Sequence, residues 1–261
     1  TSRRAGSSDP RLRDALHRRL RRLSRSHRVQ LTDEYLERLR ARLVGACDLC
    51  AGRGYRISLK TGDVLACSCL LEFRTLLRLH TGGVPRAYHS ATIANYRYRK
   101  QNHDSTRIVA EYIDSFSDRL VTGGGLYFTG PHGVGKSYLM CSVLRAAAES
   151  GRTVHYRHLS QLLSELADSE FSGESTRSVF DVDLLALDEI DRVYKTKSDV
   201  GATLFDRLIR HRCGSFRPVL VASNKSRDRL EGTHSSAISS LFAAAMSDVN
   251  LVGKDFRRRR V

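Results

Sequence analysis

The sequence predicts an α/β fold, in which helices flank a parallel sheet, preceded by a small helical N-terminal domain. Three observations predict it: a glycine-rich loop between a strand and a helix, short apolar runs that end in polar side chains, and cysteines clustered upstream. From residue 105 onward predicted strands and helices alternate, which is typical of a parallel sheet. We expect an N-terminal domain over residues 1–80, a linker over 81–104 and the α/β domain over 105–261.

The N-terminal region is strongly basic. Residues 1–45 hold thirteen arginines against five acidic residues, in a chain of net charge +16. Leucines at helical spacing over residues 10–23, and again from Thr32 to Leu43, predict two short amphipathic helices. These helices form either a small solvated domain or a docking surface for a protein or for nucleic acid. A basic charge of this size favours polyanionic partners.

Four cysteines follow in the spacing C-x₂-C-x₁₆-C-x-C: Cys47, Cys50, Cys67 and Cys69. Four thiolates form a closed tetrahedral site for structural Zn²⁺, so we expect the N-terminal domain to bind zinc. So small a segment has little core, and zinc would supply its folding free energy. The second pair is closer than usual, so a redox pair or free thiols are alternatives. Another is that His80 or His89 replaces one cysteine ligand.

A glycine-rich loop lies between a predicted strand, residues 126–129, and a predicted helix, residues 138–148. It fits the pattern G-x-x-x-x-G-K-[ST], whose backbone N–H groups wrap around a phosphate chain. Lys136 would contact the β- and γ-phosphates, and the Ser137 hydroxyl would hold Mg²⁺. The expected nucleotide-binding residues of this P-loop are Gly130, Pro131, His132, Gly133, Val134, Gly135, Lys136, Ser137 and Tyr138.

Two further apolar runs end in polar residues. Residues 183–187 suit a strand buried on both faces, and Asp188 and Glu189 follow at its carboxyl end, where open α/β sheets bind ligands. We expect Asp188 to help hold Mg²⁺, and Glu189 to orient or deprotonate an attacking water. Asn224 ends a third run and would contact the γ-phosphate or that water. Solvated acids and a simple strand-end turn are the alternatives.

Together these three motifs resemble those of the AAA+ ATPases. Four features narrow the resemblance to the bacterial and phage helicase loaders of the DnaC/DnaI family, with the IstB-type transposition ATPase as a relative. They are the cysteine cluster, residues 84–92 (VPRAYHSAT), residues 204–209 (LFDRLI) and residues 253–257 (GKDFR). The last segment resembles the family's terminal G-x-D-Y-R, with Phe256 in place of tyrosine. The resemblance covers roughly residues 47–258.

The resemblance implies a five-stranded parallel sheet, with ATP bound between subunits that associate into an open ring or spiral. It also implies a cytoplasmic ATPase that loads a replicative helicase hexamer, binds single-stranded DNA and docks through its N-terminal domain. DNA contacts are expected at Phe171 and Ser172, since bases stack on aromatic rings. A core position for Phe171 is an equal alternative. No apolar run approaches the roughly 18 residues of a membrane helix, so no membrane partner is expected.

The chain departs from the family at one position. An arginine finger is usual after the strand that ends at Asn224, but Ser240 stands at the matching position. ATP turnover is therefore expected to be slow, or to depend on Arg227, Arg229 or the C-terminal arginines. We expect no room after residue 261 for a full helical lid. An IstB-like ATPase that presents target DNA, and a nucleotide-switched DNA-binding scaffold with little turnover, stay open as alternatives.

Overall fold

The computed structural model describes residues 33–172, 177–191, 199–227 and 236–255. The chain divides into two compact units, one that ends at Leu77 and one that begins at Arg78. The first predicted helix, over residues 10–23, lies outside the described residues. The expected linker, 81–104, belongs to the second unit.

The N-terminal unit is built around two helices and a hairpin. Helix α1 (Asp33–Arg40) continues into one π-helical turn (Ala41–Gly45), and strands β1 (Tyr55–Ile57) and β2 (Val64–Ala66) pair antiparallel before helix α2 (Ser68–Thr81). Its core consists of Leu36, Val44, Phe73 and Leu77, with Tyr35, Leu39 and Leu43 packed against them. The helix expected over residues 32–43 is therefore present from Asp33, and its apolar face packs inward. A core this small gives little stability by itself.

The second unit contains the expected five-stranded parallel sheet. In chain order its strands are β3 (Gly125–Thr129), β4 (Val154–His158), β5 (Leu184–Asp188), β6 (Val219–Ser223) and β7 (Met246–Asn250). Within the described ranges the spatial order is β4-β5-β6-β3-β7, and each neighbouring pair is parallel. Strands β3, β5 and β6 are buried along their whole length, as their apolar sequences require.

Helices connect and cover these strands. They are α3 (His103–Asp114), α4 (Phe116–Thr122), α5 (Lys136–Glu149), α6 (Leu159–Ser172), α7 (Arg177–Asp181), α8 (Asp199–Gly214) and α9 (Ser236–Ala245). Between residues 103 and 122 the chain forms two helices, α3 and α4, because it breaks at Ser115. The Ser115 hydroxyl donates to the Glu111 carbonyl at 2.7 Å, which competes with the helical backbone hydrogen bonds.

A buried arginine joins the segments that lead into β5 and β6. Arg212, in α8, is fully buried and donates hydrogen bonds of 2.8–3.0 Å to four backbone carbonyls, those of Val179, Phe180, Val182 and Pro218. Burial lowers the pKa of Arg212 to about 9, so the side chain stays charged at neutral pH. These bonds hold the start of β5 beside the start of β6, and so align the opposite, carboxyl ends of the two strands.

None of the helices among the described residues combines the length and the apolar character that crossing a membrane requires.

Candidate functional site

The carboxyl ends of β3, β5 and β6 surround one cleft. It has a volume of about 390 Å³, and its lining includes His132, Lys136, Ser137, Asp188, Glu189 and Asn224. Gly133, Gly135 and Tyr138 also line it. Most of the residues that the sequence analysis singled out for nucleotide chemistry are thus brought together, although their motifs lie far apart in the chain.

The backbone of the P-loop requires glycine at two positions. Gly133 has φ +74° and Gly135 has φ +97°, in the left-handed region that side chains other than glycine rarely adopt. A Cβ on Gly135 would lie 2.7 Å from the Tyr96 ring, and one on Gly133 would lie 1.9 Å from the Asp255 carboxylate. These two glycines therefore fit both the curl of the loop and the close packing behind it.

Lys136 begins α5, and its ammonium group reaches back over the loop. Nζ donates hydrogen bonds to the carbonyl oxygens of Gly130 and Pro131, both at 2.8 Å, and to Oδ1 of Asn224 at 2.9 Å. The positive charge thus lies between the P-loop and the end of β6. A phosphate chain held by the loop would meet both side chains in this position.

Asp188 is buried at the end of β5 and accepts three hydrogen bonds. The hydroxyl groups of Ser137 and Tyr156 both donate to Oδ2 at 2.6 Å, and the backbone N–H of Glu189 donates to Oδ1 at 2.8 Å. A hydroxyl oxygen beside a carboxylate is a ligand set that suits Mg²⁺. Ser137 and Asp188 therefore fit the expected metal. Tyr156 was not anticipated from the sequence.

Glu189 has an unusual backbone conformation for its residue type. Its φ is +56°, which costs on the order of 1–3 kcal/mol in a residue other than glycine. Its carboxylate lines the cleft, and Oε2 lies 3.7 Å from Nδ1 of His158 at the end of β4. Strain of this kind is typical of functional positions, and it turns the chain sharply after Asp188.

Asp191 fixes the orientation of Asn224. It accepts hydrogen bonds from the backbone N–H of Asn224 at 3.1 Å, from its Nδ2 at 2.9 Å and from the Ser223 hydroxyl at 3.3 Å. Burial raises the pKa of Asp191, but the hydrogen bonds from Asn224 and Ser223 outweigh it and the pKa lies below the usual value. The Asn224 amide is thereby held with Oδ1 toward Lys136. Sequence reasoning missed Asp191 because it lies three residues beyond the strand end.

Residues from the expected linker, 81–104, line one wall of the cleft: Tyr88, Asn95, Tyr96 and Arg97. After a short 3₁₀ turn (Arg86–Tyr88), Tyr96 stacks on Tyr138 with ring centroids 6.2 Å apart, and its hydroxyl donates to the Val134 carbonyl at 2.7 Å. Tyr88 packs edge-on against the same Tyr138 ring. The segment belongs to the site, because its tyrosines pack on Tyr138 and the P-loop.

The segment after β7 is fastened to the same wall. The Asn102 side chain accepts a hydrogen bond from the Val252 N–H at 2.7 Å and donates one to the Val252 carbonyl at 2.9 Å. The Tyr98 hydroxyl donates to the Lys254 carbonyl at 2.8 Å. The GKDFR motif thus begins beside the P-loop, whereas Phe256 and the residues after it lie outside the described ranges.

The residues expected to contact DNA, Phe171 and Ser172, are the last two residues of α6. Their side chains lie outside the described part, so a DNA contact there stays a prediction.

Ser240, at the position expected for an arginine finger, is exposed on α9. Arg227, offered as a substitute finger, donates to the carbonyls of Phe242 and Met246 and to the Asp248 carboxylate. It is held within its own subunit. Arg229 lies outside the described residues.

The four cysteines of the N-terminal unit converge on one point. Their sulfur atoms all lie within 4.8 Å of one another, with Cys47 and Cys67 at 3.9 Å and Cys50 and Cys69 at 3.6 Å. Tetrahedral zinc with Zn–S bonds near 2.3 Å would place its sulfurs about 3.8 Å apart. The spacing of the four sulfurs is therefore close to what a tetrahedral Zn²⁺ site requires. His80 and His89, the alternative ligands, lie edge-on against each other, and Nε2 of His89 contacts the Val84 carbonyl at 2.9 Å.

We expect the purified protein to carry about one zinc per chain, and Cys50→Ser to lose it. Without the metal the small core of the N-terminal unit should unfold, while ATP binding by the second unit should persist. Elemental analysis would measure the loss of zinc, and limited proteolysis would show whether the N-terminal unit unfolds. Cys213→Ser is the matched control, because Cys213 lies in α8 and packs against the core of the second unit. Absence of metal from the parent protein would contradict the prediction.

The comparisons with known proteins agree with this geometry. The sequence profile of the family described as IstB-like ATP binding protein matches residues 76–248. The uncharacterized protein YdaV of Escherichia coli K12 is 25% identical over 158 residues, which is 59% of this chain and 62% of that protein. The chain thus spans about three fifths of the length of this curated relative.

Two solved structures share the fold of the second unit. The structure of the DnaC helicase loader superposes with a TM-score of 0.58 at 19% identity, covering 64% of this chain and all of that chain. The structure of DnaI superposes with a TM-score of 0.56, also at 19% identity, covering 66% of this chain and 93% of that chain. At such identities the similarity shows a common fold.

Proposed function

Because the chain belongs to the family of IstB-like ATP-binding proteins, we propose that it is an ATP-dependent loader of a replicative DNA helicase. The observation that carries the proposal is the cleft in which Lys136, Asp188 and Asn224 converge beside the P-loop. The fold shared with the DnaC helicase loader supports loading as the task of that ATPase. The cysteine cluster upstream supports a loader over a transposition ATPase.

In this proposal the cleft binds ATP with Mg²⁺. Lys136 would turn from the loop carbonyls to the β- and γ-phosphates, and Ser137 and Asp188 would hold the metal, which would neutralise phosphate charge. Glu189 would accept a proton from the water that attacks the γ-phosphorus. The bond from that phosphorus to the bridging oxygen would break, and ADP and inorganic phosphate would be the products. The stacked rings of Tyr96 and Tyr138 would flank the adenine base of ATP.

We further propose that nucleotide acts as a switch. ATP would favour assembly of subunits into an open ring or spiral on single-stranded DNA, and hydrolysis would favour release. The basic charge of the chain supports a polyanionic partner. Phe171 and Ser172 are the proposed DNA contacts.

The proposed docking element for the helicase is the set of leucines at helical spacing over residues 10–23. Because Leu36 and Val44 belong to the core of the N-terminal unit, removing residues 1–45 would unfold that unit and confuse the result. The truncation should therefore stop at residue 32. We expect a chain without residues 1–32 to lose binding to the purified hexameric helicase of the source organism and to keep ATP binding.

Point variants within residues 10–23 separate docking from DNA binding. Leu16→Glu should abolish helicase binding, whereas the control Arg13→Ala should reduce it little. Binding through phosphate contacts would instead weaken steeply with salt. The slope of log binding constant against log salt concentration would change by roughly one for each phosphate contact. If the truncated chain still binds the helicase and loses only DNA binding, docking is the wrong role for this segment. Nucleic-acid binding would then be its role.

Ser240 motivates a prediction about turnover, and it also bears on the scaffold alternative. An arginine finger is worth on the order of 10³–10⁵ in rate where P-loop enzymes use one. We expect slow ATP hydrolysis by the parent protein and a rise of at least about 10-fold in Ser240→Arg on DNA. Ser239→Arg, which adds the same charge about 100° away around the helix, is the control. Fast hydrolysis by the parent, dependent on another arginine, would refute the absence of a finger.

A further inference from the structure

Tyr156 places a buried hydroxyl group on the carboxylate of Asp188. It lies in the middle of β4, the strand beside β5, and its side chain is only about 5% exposed. Its hydroxyl donates to Oδ2 of Asp188 at 2.6 Å, the oxygen that also accepts from Ser137. The contact therefore joins an interior tyrosine to the predicted metal-binding side chain.

We propose that Tyr156 is a positioning residue for the Mg²⁺ site, which holds the Asp188 carboxylate in the orientation that binds the metal together with Ser137. This inference rests on the proposed function, because it concerns the nucleotide-bound metal of that site. Partners of ligating carboxylates commonly set metal affinity, and their removal costs about 10–100-fold.

The carboxylate needs such a partner because rotation about its last side-chain bond is otherwise broad. Two groups fix it besides Tyr156: the backbone N–H of Glu189 on Oδ1, and the Ser137 hydroxyl on Oδ2. Once Ser137 turns its oxygen toward a metal, its hydrogen bond to Asp188 weakens or changes direction. The Tyr156 hydroxyl would then be the side-chain donor that still fixes Oδ2.

The ring and the hydroxyl of Tyr156 make separate contacts. The ring packs edge-on against His158, with centroids 5.6 Å apart, whereas the hydroxyl donates to Asp188. The ring thus has a packing role that phenylalanine would preserve, and the oxygen has a separate role that phenylalanine would remove.

The test compares ATP binding by the full-length parent and Tyr156→Phe as Mg²⁺ is titrated, by calorimetry, with a parallel measurement in EDTA. We expect the half-saturating Mg²⁺ concentration to rise about 10–100-fold, while metal-free ATP affinity and the melting temperature stay close to those of the parent. Tyr112→Phe is the matched control, because Tyr112 is also buried and its hydroxyl donates to the Gly124 carbonyl at 3.1 Å.

The outcomes distinguish the inference from its premise. An unchanged Mg²⁺ requirement, or an equal loss of ATP affinity with and without the metal, would overturn the positioning role. If the role is correct, Tyr156→Phe should have no added effect on the Mg²⁺ requirement in an Asp188→Asn background, since the hydroxyl acts through that carboxylate. A parent protein that binds no ATP would overturn the proposed function as well.

Discussion

Replacing Lys136 with alanine is expected to lower the affinity for ATP with Mg²⁺ on the order of 100-fold, because charged hydrogen bonds to phosphate contribute about 1.5–3 kcal/mol each. The Nζ atom lies within 2.9 Å of oxygens from both the P-loop and Asn224, so it lies between these two parts of the cleft lining. Isothermal calorimetry of the parent and the variant measures the loss.

Lys60→Ala is the control for this result. Lys60 is exposed in the turn between β1 and β2, and its replacement removes the same charge at a residue that does not line the cleft. ATP affinity within about threefold of the parent in Lys136→Ala would contradict the assignment of this lysine, since a single lost charged hydrogen bond should exceed that difference. Melting temperatures in the absence of nucleotide would show whether either variant is damaged.

The sheet and the P-loop could be predicted because their signals are local. Continuous apolar runs mark β3, β5 and β6, and the glycine spacing fixes the loop between β3 and α5. The polar residues at the strand ends then meet, since parallel strands end at one edge of the sheet. This reasoning brings Ser137 and Asp188 together from motifs that are separated by 51 residues in the chain.

The wall of the cleft could not be predicted in the same way. Tyr96 and Tyr88 lie in a segment without a periodic pattern, so only their packing on Tyr138 shows their place in the site. Asn102 meets Val252 from 150 positions away, and neither residue carries a motif that would suggest the pairing. Such contacts follow from the tertiary fold and leave no mark in local sequence.

The same distinction applies to the side chains that support the predicted site. Tyr156 falls at an ordinary strand position, and nothing in its sequence neighbours indicates that its hydroxyl meets Asp188 on the adjacent strand. Asp191 follows the strand-end acids closely, and its sequence position does not indicate a separate role. In the structure it is the group that orients Asn224. Motifs identify the groups that face a ligand, whereas the groups behind them depend on packing.

The cysteine cluster falls between these cases. Its spacing predicts a metal site, but the second pair has one intervening residue where two are commoner. Cys69 lies in the first turn of α2, which turns its sulfur toward Cys50. A helix start thus lets a C-x-C pair contribute two sulfurs to a common point.

Glu189→Gln is expected to keep ATP binding near the parent level and to reduce hydrolysis about 10²–10⁴-fold, the usual contribution of a general base. The amide has the size of the carboxylate but cannot accept the proton of the attacking water. The strained backbone at φ +56° is unchanged by this substitution, so the side chain should still line the cleft. Steady-state phosphate release and ATP binding, measured on the same preparation, separate the two effects.

The control for this variant is Glu149→Gln, which makes the same chemical change at the far end of α5, where Glu149 pairs with Arg145 at 2.8 Å. It should hydrolyse ATP like the parent, because it lies away from the cleft. Hydrolysis by Glu189→Gln at the parental rate would show that another group activates the water, and His158, 3.7 Å from the Glu189 carboxylate, would be the next residue to replace. If ATP binding falls together with hydrolysis, Glu189 contributes to nucleotide affinity and its role as the base is wrong.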